Sequence, residues 1–386
     1  MDFKLSKEHE MARKMFREFA ENELEPLAVE IDEEERFPWE SVEKFARYGM
    51  MGIPIPKKYG GAGGDNLMYC IAIEEISKKC ATSSVIVAAH TSLCMGPIMA
   101  FGTEEQKMKW IPDLASGRKI GAFGLTEPGA GTDASGQQTM AVKDGDEYVL
   151  NGTKCFITNG DTASTYVVFA VTDKTKGLKG ISLFVVEKGT PGFSTGLHEK
   201  KMGIRGSSTT DLIFEDCRIP AGNLIGKEGQ GWKICMHTLN GARAGVAAQA
   251  LGIGEGALDL AMKYVQERMQ FKKKLSKFQR TQFEIADMHT KLEACKLLVY
   301  SAACKEDAYN KGDKTQNYAM DSAMAKLFCG EAASDVTRRC VQLFGGYGYI
   351  REYQVERMMR DAKITEIYEG TSEAQRMVIS GQLGIK

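Results

Sequence analysis

The spacing of apolar residues changes twice along the 386-residue chain, and this change most constrains the fold. Before residue 120, segments such as 9–25 and 39–48 carry apolar residues at helical spacing, and Thr103 to Gln106 is typical of a capping box. After residue 230 the spacing is helical again. Between the two lie short β-rich runs separated by turn residues, with no helix-length segment among them. The sequence therefore predicts an α+β protein and not a βαβ array.

Three domains follow from this pattern: a helical domain over residues 1–120, a β-domain over 121–230 and a helical domain over 231–386. In the middle domain, Asn151-Gly152 and Asn159-Gly160 predict turns between short strands that pair antiparallel. In the last domain, four periodic segments with short connections favour a four-helix bundle. The predicted helices cover residues 233–268, 278–311, 316–344 and 353–368.

Composition excludes several classes of protein. The formal net charge is -1, from 50 basic and 51 acidic residues, so no overall field attracts nucleic acid or an anionic membrane. No uninterrupted apolar stretch approaches the roughly 18–20 residues of a membrane helix, and the N-terminus lacks a signal-peptide pattern. Ten scattered cysteines without a C-x-x-C pair indicate reduced thiols, and five histidines without ligand spacing predict no metal site. A cytoplasmic enzyme is the simplest interpretation.

The segment from 360 to 380 places one carboxylate between two predicted helices. Glu369 follows good helix formers, Gly370 interrupts them, and Ser372 to Gln375 predicts a capping box that opens the next helix. The helix dipole stabilises a charged carboxylate at this position, whereas burial raises its pKa. Glu369 is therefore a candidate general base.

The alternative for this segment is that Glu366, Glu369 and Glu373 are solvated charges on a helix face. The segment alone does not exclude that alternative.

Four other segments each have a functional and a structural interpretation. The glycine-rich run from Phe123 to Asp133 formally matches a dinucleotide fingerprint, but Pro128 precedes it and β-structure follows, which excludes a Rossmann turn. Phe156 and Thr158 end a β-run and could line a planar cofactor or a buried edge. Six cationic residues within 268–280 could hold a pyrophosphate or form a solvated face, and the glycines of 342–348 exceed what a helix C-cap requires.

Taken together and in order, the motifs TEPGAGTD, FITNG, IRGSSTTDLIFEDCRIP, QLFGGYGY and RDAKITEIYEGTSEAQR resemble the signature sequence of the acyl-CoA dehydrogenase family. The resemblance covers essentially the whole chain and is strongest to short-chain, butyryl-CoA-type members. It implies a helical N-terminal domain, a β-barrel-like middle domain and a C-terminal four-helix bundle. It also implies bound FAD, an acyl-CoA substrate, electron-transferring flavoprotein as acceptor, and a homotetramer.

The same resemblance assigns roles to individual residues. Glu369 matches the general base, which removes the pro-R α-proton of the thioester while the β-hydrogen leaves as hydride to the flavin. Positions that match flavin-ring contacts are Phe123, Leu125, Thr126, Gly131, Thr132, Phe156, Ile157 and Thr158. Positions that match contacts to the rest of FAD are Arg268, Phe271, Gln279, Gln342, Gly345, Gly346, Thr371 and Glu373. Positions that match acyl-CoA contacts are Thr132, Asn240, Arg243 and Gly370.

Five residues depart from the family pattern. Phe156 replaces a common Trp and keeps an aromatic wall, Asn240 replaces a common Asp, and Lys272 replaces a common Gly. Ala242 stands where isovaleryl-type enzymes carry their base, and Ser84 stands where glutaryl-type enzymes carry an Arg. These two argue against both subclasses. A reductase of an enoyl-CoA, a dehydrogenase of a cyclic carboxyl-CoA and a non-catalytic flavoprotein relative remain as alternatives.

Overall fold

Helices occupy most of the chain before residue 120 in the computed structural model, which describes residues 4–385. The predicted capping box forms, because the Thr103 hydroxyl accepts from the Gln106 N–H and the Gln106 side chain accepts from the Thr103 N–H. The α-helices of this part are α1 Lys7–Phe19, α2 Ala28–Glu34, α3 Trp39–Arg47, α4 Asn66–Ser77, α5 Ala81–Ala88, α6 Gly96–Phe101 and α7 Glu104–Ala115.

One N-terminal segment corrects the sequence analysis. α5, a π-helical stretch at Ala89–Met95, and α6 run on without interruption, so Ala81–Phe101 is a helix of 21 residues. By length and composition it could cross a membrane, and the prediction that no such stretch exists is wrong here. Of its most apolar window, 72% is buried inside the protein. The core helix of a globular fold has this arrangement.

The middle of the chain forms one eight-stranded sheet. Its hydrogen-bonded order is β6-β7-β3-β2-β4-β5-β8, and β1 also pairs with β4. Most pairs are antiparallel as predicted, but β4 runs parallel to both β1 and β2, which the turn signals did not indicate. The strands are β1 Gly121–Gly124, β2 Met140–Asp144, β3 Glu147–Thr158, β4 Thr165–Val171, β5 Ile181–Glu187, β6 Phe193–Thr195, β7 Thr209–Pro220 and β8 Leu224–Ile225.

The predicted turn at Asn151-Gly152 is wrong, because β3 continues through it. The register against β7 shifts between Leu150 and Gly152, so the pair forms a bulge. Gly152 has φ +143°, and a Cβ there would lie 2.6 Å from the Thr139 hydroxyl oxygen. Close approach of the neighbouring backbone therefore explains this glycine. The predicted turn at Asn159 does form, with φ +62°, and ends β3.

Long helices return after the sheet. α8 Gly231–Glu267, α9 Gln279–Asn310 and α10 Tyr318–Phe344 match the predicted segments, whereas the fourth, α11 Val355–Lys363, is shorter than predicted and is followed by α12 Ser372–Gln382. A hairpin of β9 Met269–Gln270 and β10 Lys273–Lys274 separates α8 from α9.

α8 also packs closely against the N-terminal helix α4. A Cβ at Gly252 would lie 2.2 Å from the backbone oxygen of Glu74, so glycine permits the contact. α8 therefore ties the two helical parts of the chain together.

The cysteines behave mainly as small apolar side chains. Within residues 4–385 all ten are free, and nine are buried. Cys304 is exposed and departs from the pattern.

Candidate active site

Glu369 lies in a break between two helices, where the sequence predicts it. α11 continues into a 3₁₀ turn at Ile364–Glu366, and α12 begins at Ser372. Glu369 has φ +53° and Gly370 has φ +100°, so two consecutive residues adopt left-handed conformations. For a residue other than glycine this costs roughly 1–3 kcal/mol, which the surrounding structure must offset. The fold thus holds this carboxylate outside both helices.

The start of α12 differs from the predicted capping box. Thr371 and not Ser372 is the N-cap, since its hydroxyl accepts from the Ala374 N–H at 3.2 Å. Gln375 does not complete a box. Its amide nitrogen donates to the backbone oxygen of Gly370 at 2.8 Å.

Neighbouring helices fix the residues on both sides of Glu369. The ammonium of Lys326 on α10 donates to the Gly370 backbone oxygen at 2.5 Å. The Tyr368 hydroxyl donates to the side-chain oxygen of Gln249 on α8. The break is therefore anchored to α8 and α10, through the residues that precede and follow Glu369.

The carboxylate itself has no hydrogen-bond partner within residues 4–385 at its buried Oε2 atom. Burial raises the pKa of Glu369 to about 8, while the nearby charges of Lys326 and Arg243 act in the opposite direction. Burial also lowers the pKa of Arg243, whose Nη1 donates to the Asn240 side-chain oxygen at 2.8 Å. A buried, unpartnered carboxylate with a pKa near neutrality is suited to take a proton.

A cavity of about 330 Å³ opens beside Glu369 and brings together five separate parts of the chain. Val85, Ala89 and Leu93 form one apolar wall, and Trp232 and Leu239 from α8 form another. Eleven predicted site residues line this cavity: Phe123, Leu125, Thr126, Gly131, Thr132, Phe156, Ile157, Thr158, Arg243, Glu369 and Gly370.

The end of β3 presents an aromatic ring to this cavity. The register between β3 and β7 shifts between Lys154 and Ile157, and Phe156 within the shift has φ +59°. The bulge turns the Phe156 side chain out of the sheet, and the ring is 64% exposed although it lines the cavity. A planar ligand would cover a ring presented in this way.

A buried ion pair holds the glycine-rich loop against the sheet. The ammonium of Lys154 contacts the Glu127 carboxylate at 2.7 Å and the Leu125 backbone oxygen at 3.2 Å. Glu127 also accepts from the backbone N–H groups of Gln138 and Thr139, the latter at 2.9 Å. Burial raises the pKa of Glu127, but Lys154 and these N–H groups outweigh it and leave the pKa below its ordinary value.

Several predicted residues lie outside the first cavity. Arg268, Gln342, Gly345 and Gly346 line a second cavity of about 500 Å³, where the Arg268 guanidinium stacks over the Tyr347 ring at 5.1 Å. The two cavities share no lining residue. The other predicted residues line neither cavity. Phe271 is 87% exposed in the β9–β10 hairpin, Gln279 begins α9, and Asn240 contacts Arg243. Thr371 caps α12, and Glu373 is exposed in the first turn of that helix.

Sequence reasoning missed the residues that support the site, chiefly Lys326, Lys154, Gln249 and Gln375. A signal for Lys326 exists, because residues 322, 323, 325, 329 and 330 around it are Ser, Ala, Ala, Cys and Gly, which predict a buried helix face. A lysine on such a face requires a partner. No comparable pattern marks Lys154, because the bulges interrupt the alternation of β3.

Sequence profiles identify the family. The N-terminal, middle and C-terminal domains of acyl-CoA dehydrogenases match residues 6–118, 122–217 and 229–384. A short-chain-specific acyl-CoA dehydrogenase of Clostridium acetobutylicum is 59% identical over 383 residues, which cover 99% of this chain and 100% of the relative. An NADH-linked acryloyl-CoA reductase of Anaerotignum propionicum is 53% identical and covers 99% of this chain and 96% of the relative.

Solved structures agree with this relationship. Butyryl-CoA dehydrogenase of Megasphaera elsdenii superposes with a TM-score of 0.96 at 49% identity, covering 99% of this chain and 100% of that chain. A chain in a structure described as the electron transferring flavoprotein of Acidaminococcus fermentans gives 0.96 at 52% identity and covers 99% of both chains. The chain belongs to the acyl-CoA dehydrogenase family, whose members are FAD-dependent oxidoreductases.

The residues of the first cavity fit the flavin of FAD. Thr126, Thr132 and Thr158 line the cavity, and none of their hydroxyls has a hydrogen-bond partner among the described residues. Aromatic and aliphatic side chains supply the remaining walls. A planar heterocycle with a polar edge requires this combination of apolar faces and unused hydroxyls. In the second cavity, Arg268 and the exposed backbone at Gly345 and Gly346 suit a diphosphate.

Proposed function

We propose that this protein dehydrogenates a short or compact acyl-CoA at its α,β bond to give the 2-enoyl-CoA, with Glu369 as the base. The observation that carries the proposal is the unpartnered, buried Oε2 atom of Glu369 at the wall of a cavity that fits a flavin. Membership in the acyl-CoA dehydrogenase family and the short-chain specificity of the Clostridium relative support it.

Glu369 performs the proton transfer in this proposal. Its carboxylate accepts the pro-R α-proton of the thioester, and burial makes it a stronger base than a solvated glutamate by raising its pKa to about 8. The backbone N–H of Glu369 is assigned to the thioester carbonyl, where it stabilises the charge that develops on the oxygen. FAD, when bound, supplies the acceptor for the hydride that leaves the β-carbon.

The other lining residues orient the reactants and exclude water. Thr126, Thr132 and Thr158 are assigned to the polar edge of the flavin, and Phe156 to one of its faces. Arg243 and Gly370 are assigned to the acyl-CoA, with Asn240 acting through Arg243. The Arg268 cavity is assigned to the adenine dinucleotide half, together with Phe271, Gln279, Gln342, Gly345, Gly346, Thr371 and Glu373.

The acyl end of the cavity favours a compact apolar group. Val85, Ala89 and Leu93 are apolar, and the Ser84 hydroxyl donates to the backbone oxygen of Ala81 on its own helix at 2.8 Å. No cation from α5 therefore faces a terminal carboxylate. This supports the exclusion of a dicarboxylyl substrate.

Substitution of Glu369 tests the proposal directly. Glu369→Gln should bind FAD and remain yellow, yet lose at least about 10³-fold in the rate of anaerobic flavin bleaching by butyryl-CoA, because amide nitrogen and oxygen cannot accept the α-proton. Stopped-flow absorbance near 450 nm measures this rate. Full-rate bleaching by the variant would remove Glu369 from the base role. A panel of butyryl, hexanoyl, isobutyryl, cyclohexanecarboxyl and glutaryl thioesters identifies the acyl group.

A second candidate is physiological reduction of an enoyl-CoA, which the identity to an acryloyl-CoA reductase favours. The same base and flavin serve both directions. Reduced protein mixed anaerobically with acryloyl-CoA and with crotonyl-CoA separates the candidates, since faster reoxidation than the forward bleaching rate supports the reductase.

Partners, assembly and location are part of the proposal. We propose electron-transferring flavoprotein as the electron acceptor, supported by the likeness to the Acidaminococcus chain. A homotetramer is supported by exposed apolar side chains at Phe271, Tyr349 and Met377 and by the separation of the two cavities. Light scattering of the purified protein tests the tetramer. A cytoplasmic location and domain boundaries near residues 120 and 230 are retained as predictions.

A further inference from the structure

Lys326 is a buried cation whose one hydrogen-bond acceptor among the described residues lies in the helix break beside Glu369. Its residue is 1% exposed on α10, and its ammonium has three N–H groups. Within residues 4–385 its single hydrogen bond is the one to the backbone oxygen of Gly370, at 2.5 Å. Burial of an ammonium with one acceptor is costly, so a further interaction must favour the charge.

The hydrogen bond alone does not account for a lysine at this position. Gln375 donates to the same Gly370 oxygen at 2.8 Å, so that carbonyl has a neutral donor already. Gln375 is fully buried as well. The property that Lys326 adds is its positive charge. Its ammonium binds Gly370, the residue that follows Glu369, whose Oε2 atom has no partner among the described residues.

Groups from three helices face Glu369. Lys326 on α10 and Arg243 on α8 are the cations that act on its carboxylate. Tyr69 on α4 also lies close enough for the charge of Glu369 to raise the pKa of its phenol, although burial is the larger cause. Tyr368 is the adjacent residue and is bound to Gln249.

The carboxylates that face Lys326 complete this arrangement. The charge of Glu369 acts on Lys326 more strongly than the charges of Glu366 and Glu373 do. Glu366 has its own partner, Lys363, and Glu373 is exposed in the first turn of α12. Glu369 is therefore the main counter-charge of the Lys326 ammonium.

We propose that Lys326 is a positioning residue that fixes the helix break and, through its charge, sets the pH range in which Glu369 acts as a base. The proposal rests on the proposed function, in which Glu369 takes the α-proton. Arg243 contributes a second cation, but it is hydrogen-bonded to Asn240 and lines the cavity. Lys326 contacts the break and is not among the residues that line the cavity.

Electrostatics support this role. Burial lowers the pKa of Lys326 to about 8 and raises that of Glu369 to about 8, and each charge opposes the effect of burial on the other. Loss of the ammonium removes an attraction that favours the ionised form of the Glu369 carboxylate. The pKa of Glu369 should then rise further, by roughly one pH unit, the low end of the effect of one nearby opposite charge.

The test compares two donors to one carbonyl. Lys326→Met removes a hydrogen bond and a charge, whereas Gln375→Leu removes only a hydrogen bond to the same oxygen. The rising limb of log kcat/KM against pH should move up by about one pH unit in Lys326→Met and stay in place in Gln375→Leu. Well below the limb, kcat/KM of the lysine variant should be about tenfold lower and should recover at high pH.

The proposal would be overturned if the rising limb of log kcat/KM lay at the same pH in Lys326→Met and Gln375→Leu. A purely structural role of the two donors would affect the pH dependence of both variants equally. Lys326→Gln keeps a donor without the charge, and a wild-type limb in it also overturns the proposal, even where the methionine variant fails to fold. Lys326→Arg, which keeps the charge, should restore the wild-type limb. Lys291→Met removes a lysine from the same bundle, where Lys291 pairs with Asp335 at 2.7 Å, and should leave the limb unmoved.

A readout without turnover separates this inference from the proposed function. Infrared difference spectra between acid and alkaline pH, with Glu369→Gln as background, follow the carboxyl band of Glu369 in the substrate-free holoenzyme. That band should titrate at higher pH in Lys326→Met than in the wild type, and an unshifted band contradicts the proposal. If the wild-type protein dehydrogenates no thioester, the proposed function is wrong. If Lys326→Met is active but its rising limb of log kcat/KM is unshifted, only the proposed role of Lys326 is wrong.

Discussion

Two lysines, Lys154 and Lys326, are buried within residues 4–385, and burial lowers the pKa of each to about 8, yet they serve different regions in different ways. Lys154, behind the glycine-rich loop, has three acceptors, one of them the Glu127 carboxylate at 2.7 Å. Lys326, at the helix break, has one acceptor in the described part of the chain, the Gly370 backbone oxygen. The number of acceptors distinguishes a lysine that holds structure from one whose charge remains available to a neighbour.

The carboxylates near the two lysines also differ, in the direction of their pKa shifts. Glu127 has a pKa below its ordinary value, since Lys154 and backbone N–H groups outweigh its burial. Glu369 has a pKa raised to about 8, because burial outweighs the two cations near it. Glu127 therefore stays ionised at neutral pH, whereas Glu369 can change its charge. Burial of an ion pair alone does not indicate which of these roles a pair has.

The largest effect on stability is expected from removal of Lys154, the lysine with three acceptors. Lys154→Met leaves the ionised Glu127 buried without its cation, which should lower the free energy of unfolding by about 3–5 kcal/mol. Urea unfolding of the holoenzyme, followed by circular dichroism, measures the loss. The glycine-rich loop should also loosen, and FAD affinity should fall with it.

The double variant Lys154→Met/Glu127→Gln is the matched control. It removes both charges and should recover more than half of the loss, since no unpaired charge remains. Additive losses in the two single variants and the double variant would show that Lys154 and Glu127 are not coupled, and the contrast with Lys326 would then fail.

An intermediate effect, dependent on pH, is expected at the helix break that holds Glu369. The pKa of Glu369 is raised from its ordinary value to about 8, so its favourable contribution to stability is complete below about pH 4.5 and is lost as pH rises through 8. Gln cannot ionise. Glu369→Gln should therefore unfold at higher urea than the wild type by an increment that grows from pH 5 to pH 8, to roughly 1–3 kcal/mol.

Glu127→Gln sharpens this prediction because the change in its stability with pH should have the opposite sign. The pKa of Glu127 is lowered, so its contribution is present at neutral pH and is lost as pH falls through the folded-state pKa. That variant should be less stable than the wild type at pH 7 and approach it at acid pH. An increment for Glu369→Gln that is the same at pH 5 and pH 8 would contradict the assignment of a raised pKa.

The sequence predicts the parts of the site that are local and leaves out those that depend on packing. The order of helical and β-rich segments, the break at Glu369 and the turn after Thr158 follow from spacing and turn residues. The continuity of β3 through Gly152 does not, because Asn-Gly indicates a turn and only the contact with Thr139 explains the glycine. The parallel pairing of β1 with β4 likewise joins segments more than forty residues apart.

The anchors of the break lie beyond sequence reasoning for the same reason. Lys326 reaches a carbonyl 44 residues away, and Tyr368 reaches Gln249 across 119. No local pattern encodes such distances. The small residues around Lys326 indicate that its helix face is buried, but its contact with the Gly370 oxygen becomes evident only when α10 packs against the break.

The smallest effect is expected from Lys326→Met on stability at pH 7, a change of less than about 1 kcal/mol in the free energy of unfolding. The Gly370 oxygen keeps the Gln375 donor, and Glu369, whose pKa is raised to about 8, is already mostly protonated at pH 7, so the substitution leaves no unpaired carboxylate there. Urea unfolding at pH 7 beside Lys154→Met measures the difference. A loss of stability as large as that of Lys154→Met would mean that Glu369 is ionised at pH 7. Both lysines would then be structural partners of ionised carboxylates.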